Sequence, residues 1–87
     1  MIRIVIADDH DIVRAGLKQL IADDPEMEVT GEAKTGEHLI ELVKKNDYDV
    51  VLLDIKMSGI SGIEAIKHIK AIKPNLPIIL LSMHSED

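Results

Sequence analysis

Apolar and polar positions along the chain change period several times. IRIVIA (Ile2–Ala7) is short, rich in β-branched residues and almost wholly apolar, the pattern of a strand buried on both faces. From Asp11 the period becomes helical: Val13, Leu17, Leu20 and Ile21 fall at i, i+4, i+7 and i+8. Asp11 is placed to cap this helix, and Asp24-Pro25 to stop it. MEVTGEA (Met27–Ala33) alternates Met27, Val29, Gly31 and Ala33, a weaker strand pattern suited to an edge. Lys34-Thr35-Gly36 reads as a turn. Leu39, Ile40, Leu42 and Val43 then line a second helix that ends near Lys45-Asn46. VVLLD (Val50–Asp54) is a third strand. Ile63, Ile66 and Ile69 make a helical stripe after Gly62, closed by Lys73-Pro74-Asn75-Leu76-Pro77. PIILLS (residues 77–82) is a fourth strand, followed by MHSED. The order β-α-β-α-β-α-β predicts a parallel sheet with right-handed crossover helices. No linker, repeat or low-complexity segment interrupts it, so residues 1–87 are expected to form one domain.

Size and charge narrow the function classes. With 87 residues the chain holds one small domain. It has no cysteine, which removes disulfides and thiolate metal sites. Sixteen acidic and 10 basic residues give a net charge of −6, without the basic footprint that phosphate neutralisation leaves on a nucleic-acid binder. Phe and Trp are missing and Tyr occurs once, so a base-stacking platform is not expected either. The opening MIRIVIADDH is too short and too acidic for a signal peptide or a membrane span. No direct contact with nucleic acid or membrane is expected, and the location is expected to be cytoplasmic.

The acids give the pattern its chemistry. Parallel α/β sheets bind ligands at the C-terminal ends of their strands. The first strand ends in Asp8 and Asp9, the third in Asp54 and the fourth in Ser82. If strands one and three are neighbours, three carboxylates converge and repel, a repulsion that a cation relieves. Hard oxygen donors suit Mg²⁺ or Mn²⁺, and Mg²⁺ keeps waters that phosphate oxygens can replace. Asp54 is then the best-placed nucleophile for phosphoryl chemistry. Each acid taken alone more often marks only a strand end meeting solvent. The joint pattern is more specific than solvation requires.

The segments IVIADDHDIVRAGL, VVLLDIKMSGISGIEAI and PIILLSMH together resemble the receiver domain of a two-component response regulator, CheY-like and closest to the LuxR/NarL-type transcription regulators. The resemblance covers the whole chain. It implies a flavodoxin-like three-layer α/β fold with strand order 2-1-3-4. It implies that Asp54 accepts a phosphoryl group from a sensor histidine kinase, and that Asp9, Asp54 and the backbone carbonyl of Lys56 ligate Mg²⁺, with Asp8 acting through a water. Ser82 would be the switch hydroxyl, and the effector a DNA-binding domain outside these residues. Two departures stand out. Ser58 occupies a position where many receivers have proline. The family pattern also continues into a fourth helix, a fifth strand bearing a phosphoryl-contacting lysine, and a fifth helix. Neither Lys56 nor Lys73 matches that lysine.

Without those elements the receiver is expected to be incomplete at its C-terminus, with strand four an apolar edge along Ile78, Ile79, Leu80 and Leu81. Such an edge recruits other strands, so a homodimer or domain-swapped oligomer is expected. Two other functions compete with the signalling switch. A haloacid dehalogenase-like phosphatase also puts a nucleophilic Asp after an apolar strand, but needs a second Asp where Lys56 stands. A fragment incompetent for phosphorylation is the other. The remaining polar residues read blandly. His10, His38, His68 and His84 lack metal-ligand spacing and are expected in surface or loop roles rather than as metal ligands. Met57 and Met83 read as gap-filling residues. Glu37, Glu41 and Asp47 read as a solvated face, with Glu41 and Lys45 a weak helical pair. Arg14 is placed either to shield the acids or to face solvent.

Overall fold

The computed structural model describes residues 1–54, 57 and 61–81. Its elements are β1 (Ile2–Ala7), α1 (Asp11–Ala22), β2 (Met27–Ala33), α2 (Gly36–Lys45), β3 (Val50–Asp54), α3 (Gly62–Ile72) and β4 (Ile78–Leu81). The strands form one parallel sheet in the order β2-β1-β3-β4. This is the expected CheY-like topology, with strand order reversing beside β1.

The period of two along the strands divides the core between the two faces. Val5, Ala7, Val51 and Leu53 point to the side covered by α2 and α3, where Leu39, Val43, Ala65 and Ile69 meet them. Ile4 and Ile6 point to the opposite side, against Ile21 and Leu17 of α1. Buried on both faces from Ile4 onward, β1 is the central strand its sequence predicts, whereas Ile2 and Arg3 are exposed at the rim.

Strand β2 is an edge, as its weaker alternation predicts, and its register shifts between Ile4 and Val5. The shift leaves Thr30 without a partner on β1 and sets Gly31 opposite Val5. Gly31 has a packing reason. A Cβ there would lie 2.9 Å from the Tyr48 ring, which occupies the space as a buried part of the α2/α3-side core.

Helix ends follow local chemistry. Thr35 caps α2 by accepting from the backbone N–H of His38, and Ser61 caps α3 by accepting from that of Glu64. Lys34-Thr35-Gly36 is thus less a free turn than a helix start. Asp11 is the first residue of α1 rather than its cap. His10 takes the cap position, and the loop before it is held by the Asp8 side chain. The helix ends before Asp23, ahead of the Pro25 stop.

Two predicted stripes are rotated. Leu20, expected inside, is 71% exposed, because α1 turns Arg14, Leu17 and Ile21 toward the sheet. Ile63 is 63% exposed. The small residues Gly62 and Ala65 face inward with Ile69, which lets α3 approach the sheet closely and leaves Ile63 on its flank. At the far edge, β4 follows the expected pattern: Ile79 is 52% and Leu80 50% exposed, while Ile78 packs against the core. No helix among the described residues is long and apolar enough to cross a membrane.

Candidate metal centre

Registry brings the acids together. Ala7 of β1 pairs with Leu53 of β3, so the residues that follow, Asp8 just past β1 and Asp54 at the end of β3, lie side by side. Asp8 is held to the neighbouring edge strand by its backbone N–H, which donates to the Ala33 carbonyl at 3.0 Å. Its side chain turns back over the loop and accepts from the His10 backbone N–H at 2.8 Å.

Asp8 is 0% and Asp54 1% exposed, while the Asp9 carboxylate remains partly open to solvent. Ligating atoms of Asp8, Asp9, His10 and Asp54 all lie within 4.8 Å of one another. Asp8 Oδ2 is buried and has no hydrogen-bond partner among the described residues. A buried carboxylate oxygen in that position is costly unless something positive satisfies it. The donor set is dominated by hard carboxylate oxygens at a solvent-facing mouth, which fits a hydrated divalent cation such as Mg²⁺ or Mn²⁺.

His10 is exposed in the loop after β1, as expected, but it also belongs to the cluster despite its lack of metal-ligand spacing. Its Nδ1 lies 2.8 Å from Asp8 Oδ1, 3.0 Å from Asp9 Oδ1 and 3.9 Å from Asp54 Oδ2, although the side chain is half exposed. The hydrogen bond to Asp8, with the charges of Asp9, Asp8 and Asp54, raises the imidazole pKa above its ordinary 6.5 against the opposing effect of burial. No ligand spacing along the chain marks this residue, because its partners come from the ends of two strands. Its place directly after the paired acids was the only sequence clue.

Arg14 resolves the choice left open by its sequence position. It is buried rather than solvated, and it contacts the backbone of the acid loop. Its Nη1 donates to the Asp8 carbonyl at 2.7 Å, its Nε to Glu32 at 3.1 Å and its Nη2 to Asp11. Lys18 joins from the next turn, 2.8 Å from Glu32. Lys18, and then Arg14, hold the Glu32 carboxyl below its ordinary range although burial opposes them.

The other expected residues divide as follows. Lys56, Ser58, Ser82, Met83 and His84 lie outside the described residues. His38 and His68 are exposed and lie outside the cluster, and Met57 is buried in the core. Glu41 and Lys45 make the expected exposed pair at 3.6 Å.

Known proteins bear on this geometry. The family described as the response regulator receiver domain matches residues 4–87. The transcriptional regulatory protein DegU of Brevibacillus brevis is 40% identical over 99% of this chain and 36% of its own length. The response regulator UvrY of Escherichia coli K12 is 39% identical over 100% of this chain and 40% of its own. The chain thus spans about two fifths of the length of these curated relatives. Among solved structures, the response regulator domain of Thermotoga maritima CheB superposes with a TM-score of 0.91 at 36% identity, covering 100% of this chain and 64% of that one. RcsB of Salmonella enterica serovar Typhimurium, bound to promoter rprA in the presence of the phosphomimetic BeF3-, gives 0.89 at 35% identity, covering 99% and 72%. With its parallel sheet, the acids at the ends of β1 and β3 and this match across nearly its whole length, the chain belongs to the response regulator receiver domains and is related to the LuxR/NarL-type regulators.

Proposed function

We propose that this domain is a phosphorylation-driven signalling switch. Asp54 is the acceptor of a phosphoryl group from the phosphohistidine of a sensor histidine kinase, and the domain acts in the cytoplasm. The observation that carries this reading is the juxtaposition of the nearly inaccessible Asp54 with Asp8 and Asp9 at the ends of adjacent strands.

Asp9, Asp54 and the Lys56 backbone carbonyl would hold Mg²⁺, with Asp8 acting through a water; Mn²⁺ would serve in its place. Such an ion supplies charge neutralisation around the transferring phosphoryl oxygens. The chain's own contribution is geometry. The rigid end of β3 fixes the Asp54 carboxylate, and burial limits the water that would hydrolyse an acyl phosphate. A carboxylate oxygen of Asp54 forms the new bond to phosphorus as the phosphorus–nitrogen bond of the phosphohistidine breaks, and the electron pair of that bond leaves with the imidazole. The product carries about −1.5 to −2 of added charge at neutral pH. Ser82 is the proposed hydroxyl that responds to it. The domain accepts and holds the group rather than turning over substrate as an enzyme.

The partners follow from the relatives. DegU is named a transcriptional regulatory protein, and the RcsB structure is bound to promoter DNA. We infer that this receiver likewise controls a DNA-binding effector domain, and that it works as a homodimer or a domain-swapped oligomer. The acidic receiver itself has no part in reading DNA.

Incubating the protein with Mg²⁺ and acetyl phosphate, followed by intact mass measurement, tests the reading. One base-labile phosphoryl group per chain, missing from Asp54→Asn and from samples treated with EDTA, is expected. Continuous release of phosphate without an adduct would favour a phosphatase. No adduct at all would favour a domain incompetent for phosphorylation.

A further inference from the structure

Arg14 is an expensive residue for its position. Long cationic side chains are rarely buried without paired acceptors, and a buried ion pair seldom stabilises a fold more than apolar packing does. On the same helix the apolar Leu20 stays in solvent while this guanidinium is buried. Packing alone does not explain that choice.

Its contacts do. The Asp8 carbonyl that accepts from Arg14 Nη1 belongs to the peptide joining Asp8 to Asp9. The plane of that peptide sets where the Asp9 side chain begins and how it faces Asp54. The guanidinium is in turn fixed from two directions, by Glu32 on β2 and Asp11 on α1. Lys18 braces Glu32, and Lys34 lies 3.6 Å from Asp11. The planar fork of arginine satisfies all three acceptors at once, which the single ammonium of lysine does not.

We infer that Arg14 is a positioning residue for the proposed cation site, holding the Asp8–Asp9 peptide so that both carboxylates face Asp54. The inference rests on the phosphoacceptor reading above. Two effects of opposite sign compete at Arg14. Its positive charge disfavours a nearby cation, so removing it would tighten metal binding. Asp11 and Glu32 already neutralise that charge, however, whereas no second donor among the described residues reaches the Asp8 carbonyl to replace the lost one. Positioning therefore outweighs repulsion, and loss of Arg14 weakens the site. Residues that orient metal ligands from behind typically change affinity about 10- to 100-fold.

The test is calorimetric titration of Mg²⁺ into wild type, Arg14→Ala, Arg14→Lys and Glu32→Ala, with melting temperatures measured in EDTA. Arg14→Ala is expected to weaken Mg²⁺ binding about tenfold or more, Arg14→Lys to recover part of the loss, and Glu32→Ala to fall between wild type and Arg14→Ala. A purely structural role would lower the melting temperature and leave the affinity of the folded protein alone. Folded Arg14→Ala with an Mg²⁺ Kd within about twofold of wild type would overturn the inference. If Arg14→Ala does not fold, Glu32→Ala decides in the same way, because it loosens the anchor and keeps the arginine. Wild type with no saturable Mg²⁺ response would overturn the phosphoacceptor reading itself, and this inference with it.

Discussion

Gly31 and Tyr48 fit each other so closely that neither position tolerates much change. Glycine at 31 leaves room for the ring of the chain's single tyrosine, and burial raises the phenol pKa above its ordinary 10.0. Gly31→Ala puts a methyl group against the ring and is expected to destabilise the domain by about 1–3 kcal/mol, read from the urea midpoint at constant m-value. An unchanged midpoint would mean that the ring moves aside freely. Sequence alone shows Gly31 as one member of an alternating strand and gives no hint of the ring. The two residues are 17 apart in the chain (48 − 31) and meet only through the crossover. His10 and Arg14 illustrate the same limit. Both stand in the loop and helix after the paired acids, but whether they turn inward depends on Glu32 and Asp54, which come from other strands.

At the scale of elements, periodicity located the strands and helices of the described residues, while the cap of α1 and the rotation of two helices about their axes differ from its expectation. Leu20 and Ile63 have the right spacing for the core. They lie outside it, where α1 buries Arg14 and Ile21 and α3 buries Gly62, Ala65 and Ile69 instead. Apolar spacing finds a face but does not weigh a polar anchor against it. Helix starts depend on single hydroxyls, so Thr35→Ala is expected to cost about 1 kcal/mol of stability, measured by denaturant titration.

Strand β3 is tied to β1 at its start by a reciprocal contact: Asp49 Oδ2 accepts from the Arg3 N–H at 2.7 Å, and the Asp49 N–H donates to the Arg3 carbonyl at 2.7 Å. The Arg3 backbone N–H first, and then its guanidinium, lower the Asp49 pKa below its ordinary 3.8. A lowered carboxylate pKa stabilises the fold fully above the unfolded value and loses that contribution as pH falls through the folded value. Wild type is therefore expected to lose more stability than Asp49→Asn on acidification from about pH 5 to about pH 2. Parallel acid limbs for the two proteins would contradict this contact.

For the whole molecule, the alternation of elements predicted a parallel sheet, but strand order came from family resemblance rather than from periodicity. That order matters most, because β1 beside β3 brings Asp8 and Asp9 next to Asp54. The roles expected of Lys56 and Ser82 lie outside the described residues. Among the described residues β4 is an outer strand with half-exposed Ile79 and Leu80, and the proposed self-association would pair there. Sedimentation velocity is expected to show self-association that Ile79→Lys weakens, and a monodisperse monomer at all concentrations would argue against it.

The central claim, that the ends of β1 and β3 form one cation site, is tested most directly by adding Mn²⁺ to ¹⁵N-labelled protein and recording which amide signals broaden. The account predicts that Asp8, Asp9, His10 and Asp54 broaden together at low Mn²⁺, that excess Mg²⁺ reverses it, and that Asp47 and Asp49 at the opposite end of β3 stay sharp. Broadening centred on Asp47 and Asp49, or spread evenly over the acidic surface, would contradict it.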